Sequence, residues 1–320
     1  MINHTPDYEA LPELVCDYLR YIDVIKNRSK QTVFEYSINL REFFSFLVSE
    51  ENVGENIKYN LKKCDADFFR NVTLDDAYRY LSFCKNEKNN SATTRARKVV
   101  AIRQFFKYLS DNKQILDNNT MKVLDSPKTK KSLPKYLTLE QSLNLLECID
   151  GKNKERDYAI ITLFLNCGLR LSELVNLNYN DIYSDNRMRI LGKGNKERIV
   201  FLNDACINAI NRYMKIRPKD GVIDKRALFL SSRLKRISPK TVQYIVKNFL
   251  EKSGLGGQGL STHKLRHTAA TLMYQYGDAD VLVLKDILGH ENLSTTEIYT
   301  HIVDDQKKKA IENNPLAKIK

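Results

Sequence analysis

The stretch THKLRHTAATLMYQYG, residues 262–277, decides how the rest of this chain is read. Leu265, Ala269, Leu272, Met273 and Tyr276 recur at helical spacing, which predicts an amphipathic helix with one face in a core. Its first turns also carry His263, Lys264, Arg266 and His267. His263 and Arg266 are three apart, so they project from one flank and border the apolar stripe. His263 and His267 are four apart, the histidine spacing of the zinc motif HExxH. That motif places a glutamate between the histidines, whereas here Lys264 and Arg266 add cations beside any metal, which disfavours a divalent ion. No metal is expected, and the crowded nitrogens still need a partner.

Working outward, the chain has 320 residues, more than one core usually serves, so two domains are expected. Lys and Arg number 52 against 39 Asp and Glu, a formal charge of +13. That excess suits a polyanion, most commonly nucleic acid, and implies salt-sensitive binding. The six cysteines are scattered, with no CxxC pair, which argues against a zinc knuckle or a redox motif. The opening MINHTPDYEALPELV lacks a basic region followed by an apolar run, so no export signal is expected. Reduced thiols and a cytoplasmic protein are the simplest reading. YAIITLFLNCGL, residues 158–169, is too short to span a bilayer and reads as a buried helix.

The first part of the chain reads as helices. Val33, Tyr36, Leu40, Phe43 and Leu47 keep one stripe, and Val99, Ile102, Phe106 and Leu109 keep another. Arg97, Gln104 and Lys107 lie opposite the second stripe, on a solvated or phosphate-tracking face. SPKTKKSLPKYLT, residues 126–138, has two prolines, four lysines and no strong apolar periodicity, which is linker composition. Thr138–Gln141 fits a capping box and starts a new helix. The second part is mainly helical apart from RMRILGKGNKERIVFL, residues 187–202, where glycines and an asparagine punctuate a β-hairpin. The tail, residues 304–320, reads as a polar helix ending before Pro315.

Several residues could carry chemistry. Arg170 sits between Leu169 and Leu171 just after a buried helix, so it must be paired or bind an anion. Glu173 can reach it along a helix, and a buried Arg–Glu pair is the simpler account of those two alone. Lys193 occupies the hairpin turn, but GxxxxGK[ST] is absent, so no nucleotide P-loop is expected. His290 follows a glycine at a helix end, where a histidine commonly caps carbonyls. Tyr299 is one of 17 tyrosines and means little singly. As a set, two arginines, two histidines, a lysine and a tyrosine suit a phosphodiester, whose two non-bridging oxygens match guanidinium donors. With no evident carboxylate cluster for Mg²⁺, arginines would supply the transition-state stabilisation. A tyrosine would need activation to attack, and a lysine could protonate the leaving 5′-oxygen.

GLRLSEL, GKGNKER, HKLRHTAATLM, LGH and YTH, in this order, resemble the tyrosine recombinase or phage-integrase family. The likeness is closest to the Xer recombinases, and it runs from RSKQTVFEYSINLREFF through ARKVVAIRQFFKYL and LPKYLTLEQ to YTHI, nearly the whole chain. The resemblance implies a mainly α fold. Residues 1–125 would form an N-terminal helical, SAM-like core-binding domain and residues 126–137 a linker. Residues 138–320 would form a mostly α catalytic domain with a small β-hairpin. It implies that Arg170 and Arg266 clamp the scissile phosphate, and that His263 bonds the phosphate and assists the tyrosine. His290 would donate to a non-bridging oxygen, Lys193 would be the general acid, and Tyr299 would form a 3′-phosphotyrosyl bond. Glu173 would support the arginine. No cofactor is implied, because the phosphotyrosyl ester conserves the energy of the broken bond.

The implied partner is double-stranded DNA, held by four protomers on two sites, either identical or paired with a second recombinase. A DNA translocase is a candidate further partner; a membrane is not. Residues 51–72 make a longer region than the compact Xer proteins have. Chromosome-dimer resolution is the expected role, and integration or excision of a mobile element is the alternative. No room for an arm-binding domain is found before the core-binding helices, which leans towards Xer. A type IB topoisomerase and a DNA-binding protein without activity are less consistent with the Xer-like first half and the complete motif set.

Overall fold

A computed structural model describes residues 5–51, 61–128, 135–192, 196–277 and 280–289. The chain forms two compact units, Met1–Lys131 and Ser132–Lys320. The expected tail helix lies outside the described residues, as does part of the long region 51–72.

The first unit is helical: α1 (Glu13–Arg20), α2 (Lys30–Glu51), α3 (Ala66–Asn71), α4 (Leu74–Asn86) and α5 (Ala92–Asp111). Both apolar stripes turn inward. Val33, Leu40, Phe43 and Leu47 on α2 and Val99, Ile102, Phe106 and Leu109 on α5 are buried, and Tyr36 is half-buried. Aromatic rings fill the centre, with Phe105 edge-on to Tyr18, Phe44 and Phe69 at centroid distances of 5.6, 5.5 and 5.3 Å. Arg97, Gln104 and Lys107 are exposed, as the pattern predicts. Lys98 is not foreseen by that pattern. It is buried, and its ammonium is satisfied by the Glu42 carboxylate and by the Tyr80 hydroxyl at 3.1 Å.

The second unit contains α6 (Leu139–Glu147), α7 (Lys154–Cys167), α8 (Leu171–Asn176), β1 (Arg187–Leu191) and β2 (Glu197–Phe201). After these come α9 (Asp204–Ile216), α10 (Pro239–Lys252), α11 (Thr262–Tyr276) and α12 (Val281–Leu288). The Thr138 capping box forms as read: its hydroxyl accepts from the Gln141 amide at 3.1 Å, and the Gln141 side chain accepts from the Thr138 amide at 3.0 Å. The apolar run makes α7, whose residues 159–165 are all buried, and α9 and α11 pack against it. The hairpin also forms, β1 antiparallel to β2 with Arg187 opposite Phe201 and Leu191 opposite Glu197. Met188, Ile190 and Val200 face the core. No helix among the described residues is long and apolar enough to cross a membrane.

The stripe read on α11 needs correction. Leu265 and Ala269 are buried, Leu272 and Met273 are half-buried, and Tyr276 is 68% exposed. Instead Arg266 lies inside at 2% exposed, together with Thr268, Ala270, Thr271 and Tyr274. Helical spacing tells which side a residue faces, but not how far the neighbouring helices extend along it.

Gly168 ends α7 in the left-handed region, with φ 58° and ψ 36°. A Cβ there would stand 2.6 Å from Cδ2 of the buried Leu288. Gly168→Ala is therefore expected to lower stability by about 2 kcal/mol, from the backbone conformation and the overlap together. Urea denaturation would measure it, and an unchanged midpoint would contradict the account.

Candidate active site

The site is built where α7 stops. The left-handed turn at Gly168 lets the chain re-enter as α8, with Arg170 at its N-cap. The Glu173 carboxylate reaches back and accepts from the Arg170 backbone N–H at 2.7 Å and from its guanidinium at 2.8 Å. The other terminal nitrogen of Arg170 donates to the Gly289 carbonyl at 2.7 Å, just past the end of α12. The expected Arg–Glu pair is thus present, and it does not close the arginine off. The Arg170 side chain remains 36% exposed, whereas Glu173 is 2% exposed.

Two further arginines converge on the same carboxylate. Arg266, on α11, donates to the carbonyls of Gly168 at 2.7 Å and Leu288 at 2.6 Å, and its Nη1 stands 3.8 Å from Oε2 of Glu173. Arg198, on β2, makes a two-pronged pair with Glu173, at 2.7 Å to Oε1 and 2.9 Å to Oε2. Three guanidinium groups around one carboxylate leave an excess of positive charge, with Arg170 as its open member. Such an arrangement is suited to a bound anion.

Burial by itself would raise the Glu173 carboxyl. The hydrogen bonds and charge of Arg198, joined by the backbone and side-chain donors of Arg170, outweigh it and hold the group at about 2. Its ordinary value is 4.5. The stability this confers is complete above about pH 4.5 and is lost as pH falls towards 2, an effect of about 3 kcal/mol. Acid titration of stability should therefore be steeper between those limits for the wild type than for Glu173→Gln; parallel curves would contradict this.

His263 lies in the first turn of α11, with an edge open to solvent. Desolvation on its inner side, followed by the charges of Arg266, Lys264 and Arg170, lowers its pKa below the ordinary 6.5. It is therefore mostly neutral at pH 7 and able to accept a proton. Its ring meets that of His267 edge to face at 4.6 Å.

The structure brings Arg170, His263 and Arg266 together, with Glu173 beneath them. Lys193, His290 and Tyr299 lie outside the described residues. Gly289, which precedes His290 in the chain, accepts from Arg170. A Cβ on Gly192, which precedes Lys193, would stand 3.9 Å from Nη1 of Arg198 and 4.0 Å from Oε1 of Glu173.

Arg198 is the functional-site residue that the sequence reading passed over. Strand alternation carries a signal for it. Arg198 is two residues from the buried Val200 and opposite the buried Ile190, so it falls on the core face of the hairpin. A charge on that face requires a partner.

The profile of the phage integrase family matches residues 135–306, and that of the phage integrase N-terminal SAM-like domain matches residues 15–113. The chain is 51% identical over 315 residues to tyrosine recombinase XerC of Caldanaerobacter subterraneus subsp. tengcongensis, covering 97% of this chain and 89% of that one. It is 32% identical over 312 residues to tyrosine recombinase XerD of Proteus mirabilis, covering 96% and 93%. Among solved structures, the XerH site-specific recombinase in a post-cleavage complex with palindromic difH substrate has a similar fold. Its TM-score is 0.70 at 22% identity, over 93% of this chain and 84% of that one.

Proposed function

Since this chain belongs to the phage integrase family and is an Xer-type site-specific tyrosine recombinase, we propose that its cleavage chemistry is carried by Arg170, Lys193, His263, Arg266, His290 and Tyr299. The observation that carries this reading is the convergence of Arg170 and Arg266 on one buried carboxylate, with Arg170 left open beside a neutral histidine. Arg170 meets the phosphate from the open side and Arg266 from the inner side. Charge that develops on the non-bridging oxygens in the transition state is then stabilised by donors already in place. The Tyr299 oxygen attacks phosphorus as His263 takes its proton. A 3′-phosphotyrosyl bond forms, the bond to the 5′-oxygen breaks, and Lys193 protonates that oxygen. His290 donates to a non-bridging oxygen. A 5′-hydroxyl from a partner duplex then reverses the step and joins the strands. Neither a metal nor a nucleotide cofactor takes part.

On the same reading, residues 1–125 are the core-binding DNA domain, residues 126–137 the linker, and residues 138–320 the catalytic domain. Four protomers, identical or paired with a second recombinase, hold two duplex sites in the cytoplasm. Resolution of chromosome dimers before cell division is the role, and integration or excision of a mobile element is not favoured by the Xer-type relatives. A DNA translocase is a further candidate partner.

Arg170→Ala separates clamp from fold. Glu173 would keep Arg198 as its partner, so the protein should stay folded. Cleavage should fall by about 10²–10³-fold, the usual cost of one transition-state donor. Single-turnover cleavage measures it, and a loss under about tenfold would remove Arg170 from the clamp.

The reading is tested with a nicked suicide duplex carrying a candidate Xer-type site, incubated with the wild type in EDTA and run on a denaturing gel. A covalent protein–DNA band, with the adduct mapped to Tyr299 by mass spectrometry, supports it. DNA binding without a band across a panel of chromosomal and element-end sites would overturn it.

A further inference from the structure

Arg198 is the one cation of the cluster to which the reading above gives no task. Its side chain is 14% exposed, and all three guanidinium nitrogens are engaged with protein. The two terminal nitrogens grip both oxygens of Glu173, at 2.7 and 2.9 Å, and Nε donates to the Ile287 carbonyl at 3.0 Å. These contacts join three pieces of chain. β2 is the return strand of the hairpin, and Lys193 falls between its two strands in sequence. Glu173 in turn holds both the backbone N–H and the guanidinium of Arg170. Ile287 lies in the last turn of α12, two residues before the Gly289 carbonyl that accepts from Arg170. Gly289 sits at φ 63°, and a Cβ there would meet Cδ and Nη1 of Arg198 at 3.2 Å, so the turn and the arginine are fitted to each other.

We propose that Arg198 is a positioning residue for strand cleavage, acting through Glu173 and the end of α12 to fix the Arg170 guanidinium. The inference rests on the role assigned to Arg170 above. On this proposal Arg198 acts on the cluster and not on DNA: its three guanidinium nitrogens bond both oxygens of Glu173 and the Ile287 carbonyl. Its planar fork satisfies two carboxylate oxygens and a carbonyl at once. Lysine at this position would keep the charge, but it has one nitrogen for three acceptors. Glu173 would then lose part of its restraint, and so would the guanidinium it orients. A small displacement of a group that stabilises the transition state is costly, about 10²-fold in rate for an ångström.

The test uses the full-length protein and the nicked duplex, with Arg198→Lys as the variant and Arg189→Lys as its control. Arg189 is on β1 and pairs with Asp181 and Glu197, away from the cluster. Arg198→Lys is expected to cleave about 10²-fold more slowly, with DNA affinity unchanged within about twofold, and Arg189→Lys to match wild type. The double variant Arg170→Ala/Arg198→Lys should be no slower than Arg170→Ala alone, because the second change has nothing left to position. A merely structural Arg198 would give losses that multiply, and that outcome overturns the proposal. So does Arg198→Lys cleaving within about threefold of wild type. Should the variant fold poorly, wild-type NMR decides: on addition of duplex, the Arg170 Nε–H signal should shift and the Arg198 signal should stay. Equal shifts overturn the inference. Wild type that forms no adduct on any site strikes the underlying reading of the site instead, so the two failures are told apart.

Discussion

Tyr299→Phe is expected to abolish covalent attachment to DNA while leaving DNA binding intact. The substitution removes one oxygen and keeps the ring, so the chain loses its proposed nucleophile and little else. Affinity for duplex DNA is expected to rest chiefly on phosphate contacts, given the formal charge of +13, and the salt dependence of binding should match wild type. Cleavage of the suicide duplex should fall by at least about 10⁴-fold, the scale on which removal of a covalent nucleophile is felt. The proposed clamp of Arg170 and Arg266 would not compensate, because it would stabilise a transition state that no longer has an attacking group. Both proteins should behave the same in EDTA as in Mg²⁺. Covalent adduct persisting with phenylalanine would assign the attack to another of the 17 tyrosines or to a different nucleophile.

Glu173→Ala should be the most destabilising change in the cluster. The carboxylate is 2% exposed and is shared by Arg170, Arg198 and Arg266. Removing it leaves Arg198 at 14% and Arg266 at 2% exposed side chains facing each other with no anion between them. Breaking a buried ion pair from one side costs about 3–5 kcal/mol, because the remaining charge keeps its desolvation penalty. Urea denaturation should show that loss. An added anion should relieve the loss: inorganic phosphate or sulfate should restore stability to Glu173→Ala more than to wild type. A loss below about 1 kcal/mol, or equal anion effects on both proteins, would show that the three arginines are satisfied without Glu173.

Much of the local structure was legible because it depends on neighbours in the chain. The Thr138 hydroxyl and the Gln141 side chain are three residues apart and cap each other wherever the helix lies. The run from Tyr158 to Cys167 is apolar apart from Thr162 and Asn166, a composition that favours an interior helix. The glycines around Lys193 punctuate two short apolar runs, and β1 and β2 pair across them. Burial of single charged residues was not legible in this way. Lys98 stands in a polar-looking stretch and is covered only because Glu42 and Tyr80, distant in sequence, meet it. Tyr276 follows the stripe of α11 yet is 68% exposed.

By itself the sequence determined a mainly α chain with a hairpin, a basic balance suited to a polyanion, and the residue types of a phosphodiester site. Those properties follow from composition, periodicity and short-range spacing, which act within a few residues of chain. Only the tertiary structure decided that Glu173 is the common partner of three arginines, that Arg170 is the open one and Arg266 the covered one, and that Arg198 joins the hairpin to α12. These depend on segments up to 119 residues apart meeting at hydrogen-bond distance. Such meetings are set by how whole helices pack, and no local pattern encodes which buried carboxylate a given guanidinium will find.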